Sequence, residues 1–263
     1  MLNLMRADMY RLVRSKGMLI ALAIIIGLVA LVVFVFRVAP ASGIITDEDV
    51  FTPVAANEMT GAMGAQLAFG AMNNMGFLFL AGLHIIAISV FSSGAIKNEV
   101  TASISRAKFY ITKWLMCCFV SIALMVVYLA LFILFASFVD GFGYWGSGYM
   151  QEVLTTFGLQ LTLAIGLTSV GVFLSFITRR GGATDGLYIA FLLAPSFILA
   201  LLDMAFEWAM DLAMYDMGFL FGIFANYQAQ PTADIVQGVA IAAGWTVVTV
   251  VAGILLFRRA EIK

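Results

Sequence analysis

The sequence predicts an all-α integral membrane protein with six transmembrane helices. Three observations lead there. Of 263 residues, 63% are hydrophobic and 11% are charged, whereas a soluble domain carries about 25% charged residues. The apolar residues fall in runs long enough to cross a bilayer. Thirteen of the fourteen Lys and Arg residues fall at the two chain ends and in every second connection between those runs, the pattern expected of the inner side.

The first element is an amphipathic helix over 2–14. Leu2, Met5, Met9, Leu12 and Val13 share one face, and Asn3, Arg6, Tyr10 and Arg14 the other. Such a helix suits the inner membrane interface, with Arg side chains reaching headgroups. Gly17 marks the bend into span one, 18–36, whose 19 apolar or Gly residues make a helix of about 28 Å. The run is longer than the core of a signal peptide, although Val38-Ala39-Pro40-Ala41 loosely resembles a cleavage site. A retained span is the preferred reading.

An outer segment follows, acidic at Asp47, Glu48, Asp49 and Glu58 and apolar from Met59. The second span starts near Met59 or near Met75; the later start gives 75–96. It holds His84, the single histidine. An ionisable residue at membrane depth is a functional candidate. The bland alternative is a neutral imidazole bonded to a neighbouring helix, favoured because no Asp, Glu or Cys in this span completes a relay or a metal site.

Residues 97–113 form a basic inner loop with Lys97, Arg106, Lys108 and Lys113. Val100, Ile104, Phe109 and Tyr110 give it apolar contact points, so it reads as a short helical docking element. Span three is 114–138. Cys117 and Cys118 lie inside it. Adjacent helix residues point about 100° apart, so they do not form a metal-ligand pair. Tyr144, Trp145 and Tyr149 suit an outer interfacial belt.

Span four, 153–177, carries Gln160, Thr162, Thr168, Ser169 and Ser175, residue types that bond across helices or back to the backbone. The inner loop 178–186 has Arg179-Arg180-Gly181-Gly182 but lacks the Lys-Ser/Thr ending of a phosphate-cradling loop. Span five is 187–202 with a kink expected at Pro195. The outer segment 203–232 places Asp203, Glu207 and Asp211 at every fourth position, one face of a helix. Residues 216–227 are too short to span and read as a re-entrant hairpin. Span six is 235–257, and the chain ends in a basic tail.

With Arg37 alone among basic residues on the opposite side, both termini are expected to be cytoplasmic, and six spans satisfy that parity. No basic patch extends beyond the inner loops, so a nucleic-acid partner is not expected. An intramembrane enzyme is also disfavoured, because the chain lacks H-E-x-x-H, G-x-S-x-G and paired intramembrane carboxylates. No metal is expected.

The order of these features resembles an ABC-2-type transporter permease, of the bacterial kind linked to bacteriocin or lantibiotic immunity and peptide-antibiotic export. The resemblance covers essentially the whole of 1–263 as a single transmembrane domain. It is carried by LMRADMYRLVRSK (4–16), NEVTASISRAKFYITKW (98–114) and the terminal FRRAEIK. It implies that the first helix is an elbow helix. It also implies that the inner loop is a cytoplasmic coupling helix seated on an ATP-binding subunit through Glu99, Val100, Thr101, Ile104, Ser105 and Arg106. The outer helices between spans five and six would help close the exit.

The implied assembly pairs two permease subunits, identical or homologous, with two ATP-binding subunits in a bacterial plasma membrane. The chain has no G-x-x-x-x-G-K-[ST], so ATP and Mg would reside on the partner and no cofactor on this chain. The expected substrate is an amphipathic peptide, antibiotic or lipid-like molecule. Asn73, Asn74, His84 and Gln160 are candidates for its path, and the acidic Asp203, Glu207 and Asp211 for attracting a cationic one. The alternatives are a proton-coupled secondary carrier and a non-transporting membrane scaffold.

Overall fold

The computed structural model describes residues 2–42, 59–72, 75–92, 105–146, 148–206 and 208–259, and most of those residues are helical with no strand among them. Helix α1 (Leu2–Val13) buries Leu4, Asp8 and Leu12, a row spaced by four. The chain turns where the Ser15 amide donates to the Leu12 carbonyl at 3.1 Å, and α2 (Lys16–Ser42) begins. Ala21, Ile25, Val29 and Val33 form the next buried row, while the opposite face of α2 stays exposed.

Helix α3 (Gly61–Gly70) is capped by the Thr60 hydroxyl, which accepts from the Met63 amide. Gly61 and Gly64 let it lie almost backbone to backbone on α6 (Arg106–Asp140). A Cβ at Gly64 would stand 2.6 Å from the Phe132 carbonyl oxygen, the close approach that small residues permit. Helix α4 (Met75–Leu83) runs through a π-helical turn, His84–Ile88, into α5 (Ser89–Ser92). The axes of Gly61–Gly70 and Met75–Phe91 differ by 74°. Both starts weighed for span two are therefore helical, and together they make a broken span or a re-entrant loop.

Helix α7 (Tyr149–Thr178) is the central strut. In its most apolar stretch 61% of residues are buried, against 6% in α8 (Gly181–Asp203). Short α9 (Ala209–Ala213) and α10 (Met217–Ala225) follow, then α11 (Thr232–Arg259). Helix α10 is capped by Asp216, whose carboxylate accepts from the Gly218 amide and the Ser196 hydroxyl. It inserts Met217, Leu220, Phe221 and Phe224 into the core. Helices α2, α6, α7, α8 and α11 are long and apolar enough to cross a membrane, and the bent pair makes a sixth if it counts as one span. This is compatible with a multi-pass membrane protein.

Several expectations change. The helix that holds span three begins at Arg106, eight residues before 114, because Ser105 caps it by accepting from the Lys108 amide. Phe109, Tyr110 and Lys113 are thus buried parts of a long helix rather than docking-loop surface. The helix that holds span five begins at Gly181, so Asp185 is helical instead of in a loop, and the helix continues through Pro195. Of the every-fourth acids, Asp203 and Asp211 do not share a helix. Helix α8 ends at Asp203, where the Leu202 carbonyl takes the Ala205 and Phe206 amides, and α9 starts only at Ala209.

Candidate functional site

An aromatic and charged cluster gathers at one end of the bundle, built from α1, α5, α6, α7 and α11. An aromatic cluster ties these helices. The Phe176 ring meets Tyr110, Phe257 and Phe91 edge-on at 4.7, 4.9 and 5.2 Å, and Phe109 stacks on Phe257 at 5.9 Å. Gly253 makes room for Tyr110, whose hydroxyl donates to the Thr249 carbonyl at 3.4 Å.

Beside this cluster lies a buried ion pair. Lys113 Nζ donates to both carboxylate oxygens of Asp8 at 2.7 and 2.9 Å, and the two side chains are 0% and 1% exposed. The contact locks α1 to the second turn of α6. Arg11 extends the network, 4.0 Å from Asp8 and donating to the Ser89 hydroxyl at 3.3 Å. Ser89 in turn donates to the Ile85 carbonyl within the π-helical segment. Arg106 donates to the Arg258 carbonyl at 3.0 Å, tying the start of α6 to the end of α11. Lys108, Arg179, Arg180, Arg258 and Arg259 gather at this end. Arg37 lies at the other, 3.6 Å from Asp140.

His84 has a partner after all. Its Nε2 lies 2.7 and 2.9 Å from the two oxygens of Asp185 on α8. The ring fits because residue 181 is glycine, whose added Cβ would stand 3.1 Å from His84 Cε1. The histidine opens the π-helical turn, a local widening of the helix that recurs at functional sites. Both side chains are partly exposed, 45% and 32%.

Gln160 is buried and does not line an open path. Its amide donates at 3.0 Å to the carbonyls of both Phe69 and Phe221, tying α3 and α10 to α7, while its Oε1 has no partner. Three further polar residues of α7 are also bonded. Trp114 donates to Ser169 at 2.8 Å, Ser121 and Thr168 pair at 2.8 Å, and Ser175 donates to the Gly171 carbonyl.

Of the expected docking residues, Ser105 and Arg106 are described; Glu99, Val100, Thr101 and Ile104 lie outside the described residues, as do Asn73, Asn74 and Glu207. Asp203 and Asp211 are exposed on separate elements. No group of three metal-ligating side chains occurs among the described residues.

The sequence reading missed the Asp8–Lys113 and His84–Asp185 pairs and a short repeat. Met-Gly-Phe-Leu-Phe occurs at 75–79 and again at 217–221. Both copies open a helix and bury their Met and second Phe. The signal was available as an exact internal match.

Fold and charge distribution define a helical chain with several membrane-length helices and a basic, cross-braced end. No family model matches the chain, and no curated protein matches it.

Proposed function

We propose that the chain is the membrane-spanning subunit of an ATP-driven exporter of the ABC-2 type. It is energised by a separate ATP-binding subunit docked on the segment around 97–106, and it works beside a second permease subunit in a bacterial plasma membrane. One observation carries the reading. Residues 93–104 connect two helices that are both joined to α1, α5 through the Ser89–Arg11 contact and α6 through Lys113–Asp8. A push on that connection reaches α1, α6 and the π-helical segment together. Buried, charge-paired contacts transmit such a push because they have few alternative arrangements. The substrate is an amphipathic peptide, antibiotic or lipid-like molecule, and both termini are cytoplasmic. The chain supplies no ATPase site of its own.

A second reading is favoured by the His84–Asp185 pair. The only histidine, paired with a carboxylate from another helix at a π-helical turn, forms the arrangement that supports a secondary-carrier reading. Vesicles holding the native complex separate the two readings. The ATP-driven reading predicts that uptake survives a protonophore and stops when ATP hydrolysis in the partner is blocked. Loss of uptake with the protonophore and in His84→Ala, without sensitivity to ATP, establishes the carrier instead.

A further inference from the structure

We propose that the C-terminal third of α8, residues 196–203, is a hinged arm that pivots at Pro195 and is latched shut by the Ser196–Asp216 hydrogen bond. The inference rests on how α8 packs and not on the transporter reading. The first half of the helix is anchored. Thr184 and Tyr188 are its two buried residues. Thr184 pairs with Thr178 at 2.6 Å, and Asp185 holds His84 at 2.7 Å. Phe191 meets Trp245 of α11 edge-on at 5.1 Å, and Leu192 also packs on the core. There the apolar contact stops. No buried or partly buried hydrophobic side chain from 193 to 203 packs with the core, and Phe197, Ile198 and Leu201 are exposed. The stretch from 193 to 203 is about 16 Å of helix beyond the last apolar anchor.

Pro195 stands just past that anchor. It has no amide hydrogen, so the Phe191 carbonyl lacks its helical donor and the helix bends most easily there. The Met-Gly-Phe-Leu-Phe repeat flanks this point. Its first copy sets Gly76 against Leu192, where an added Cβ would stand 3.1 Å from Leu192 Cδ1. Its second copy sets Gly218 against Ser196, where a Cβ would stand 3.3 Å from the hydroxyl oxygen. Leu192 and Ser196 are four residues apart, so both copies meet one face of α8, on either side of the proline. Glycine puts no side chain in the way of α8 at either point.

Beyond the pivot, among the described residues, one side-chain hydrogen bond ties the arm to the body. The Ser196 hydroxyl donates to the Asp216 carboxylate. Asp216 is 6% exposed, and its other oxygen accepts from the Gly218 amide at 3.0 Å. Breaking the contact to Ser196 therefore leaves α10 capped. The released hydroxyl can bond back to the Leu192 carbonyl, four residues earlier, as serines within helices do. Each partner has a substitute bond, so the contact has two discrete arrangements whose populations can shift.

The test is pulsed dipolar spin-label spectroscopy on the full-length protein in micelles, in a Cys117→Ala, Cys118→Ala background. Labels at Leu154→Cys and Leu201→Cys report the arm against α7. Labels at Ile177→Cys and Leu187→Cys report the anchored part. All four positions are exposed. A change in kink of about 20° displaces Leu201, about 9 Å beyond Pro195, by about 3 Å. The expected result is that Ser196→Ala adds or enlarges a 154–201 population displaced by about that much. Pro195→Ala in the same protein should remove it, and the 177–187 distance should stay unchanged throughout. A 154–201 distribution that Ser196→Ala does not alter overturns the latch. A shift of both pairs together means that α8 moves as a rigid whole and contradicts the pivot. A displaced population that Pro195→Ala leaves in place contradicts it as well. If Ser196→Ala does not accumulate, Asp216→Ser keeps an N-cap for α10 without reaching Ser196, and an unaltered distribution there refutes the proposal.

Discussion

Lys113 Nζ stands 2.7 Å from the carboxylate of Asp8, 105 residues earlier in the chain, and both side chains are sealed from solvent. Each has a chemical role the composition conceals. Asp8 sits on the buried row of an otherwise amphipathic helix. Lys113, counted among loop charges by its sequence position, is the residue that makes burying Asp8 affordable. Removing one partner leaves an uncompensated buried charge, which costs about 3–5 kcal/mol. We expect Asp8→Asn and Lys113→Met each to lower stability on that scale. The pair Asp8→Asn, Lys113→Met should cost less than the sum of its single changes. A double-mutant cycle by thermal unfolding in micelles checks it, and additive losses would show that the two groups act independently.

The His84–Asp185 pair should behave differently. Both groups are partly exposed, and exposed ion pairs are worth about 0–1 kcal/mol. Asp185→Asn is expected to leave the unfolding temperature almost unchanged. Gly181→Val should separate the ring from the carboxylate, because a Cβ there already presses on His84 Cε1. The histidine ring signals in NMR should then move in Gly181→Val as they do in Asp185→Asn. An unmoved spectrum would mean that the pair is incidental.

Gln160 joins two short helices through one amide group. Gln160→Leu keeps the volume but leaves two carbonyls without that donor, at about 1–3 kcal/mol. Amide exchange should rise together in 61–70 and 217–225. A rise in only one segment would contradict the shared tether.

Gly64 is the tightest backbone approach between α3 and α6 for which the neighbour is itself a carbonyl. A backbone oxygen cannot swing aside as a side chain does. Gly64→Ala is expected to cost about 1–3 kcal/mol and to expose α3 to proteolysis, measured as an earlier cleavage within 59–72. Ala62→Gly, on the same helix but facing elsewhere, serves as the comparison and should lose only helix propensity, about 1 kcal/mol.

The long helices were legible because continuous apolar runs carry their own length, as in 18–36 within α2 and 235–257 within α11. Their ends were less so. Ser105 at the start of α6 is a cap signal, yet the polar residues around it pointed to a loop, and burial of Lys113 depends on a carboxylate far away in sequence. His84 was singled out by its type, but its partner was sought in its own span. Asp185 comes from α8, and a pairing across 101 residues leaves no periodic trace. The spacing of Asp203, Glu207 and Asp211 suggested one helix face only if the helix continued past Asp203. The turn at Leu202 ends it for reasons of local hydrogen bonding.

The most direct test of the transporter account is to purify the chain from its native membrane and identify what accompanies it, beside the variant Ile104→Glu, Arg106→Glu. The account predicts an ATP-binding subunit with the wild-type protein and its loss from the variant, with the variant's own unfolding temperature lowered by no more than a few degrees. A wild-type preparation that carries no ATP-binding subunit, or a variant that retains it undiminished, contradicts docking at 97–106 and makes His84 with Asp185 the centre of the mechanism to be examined.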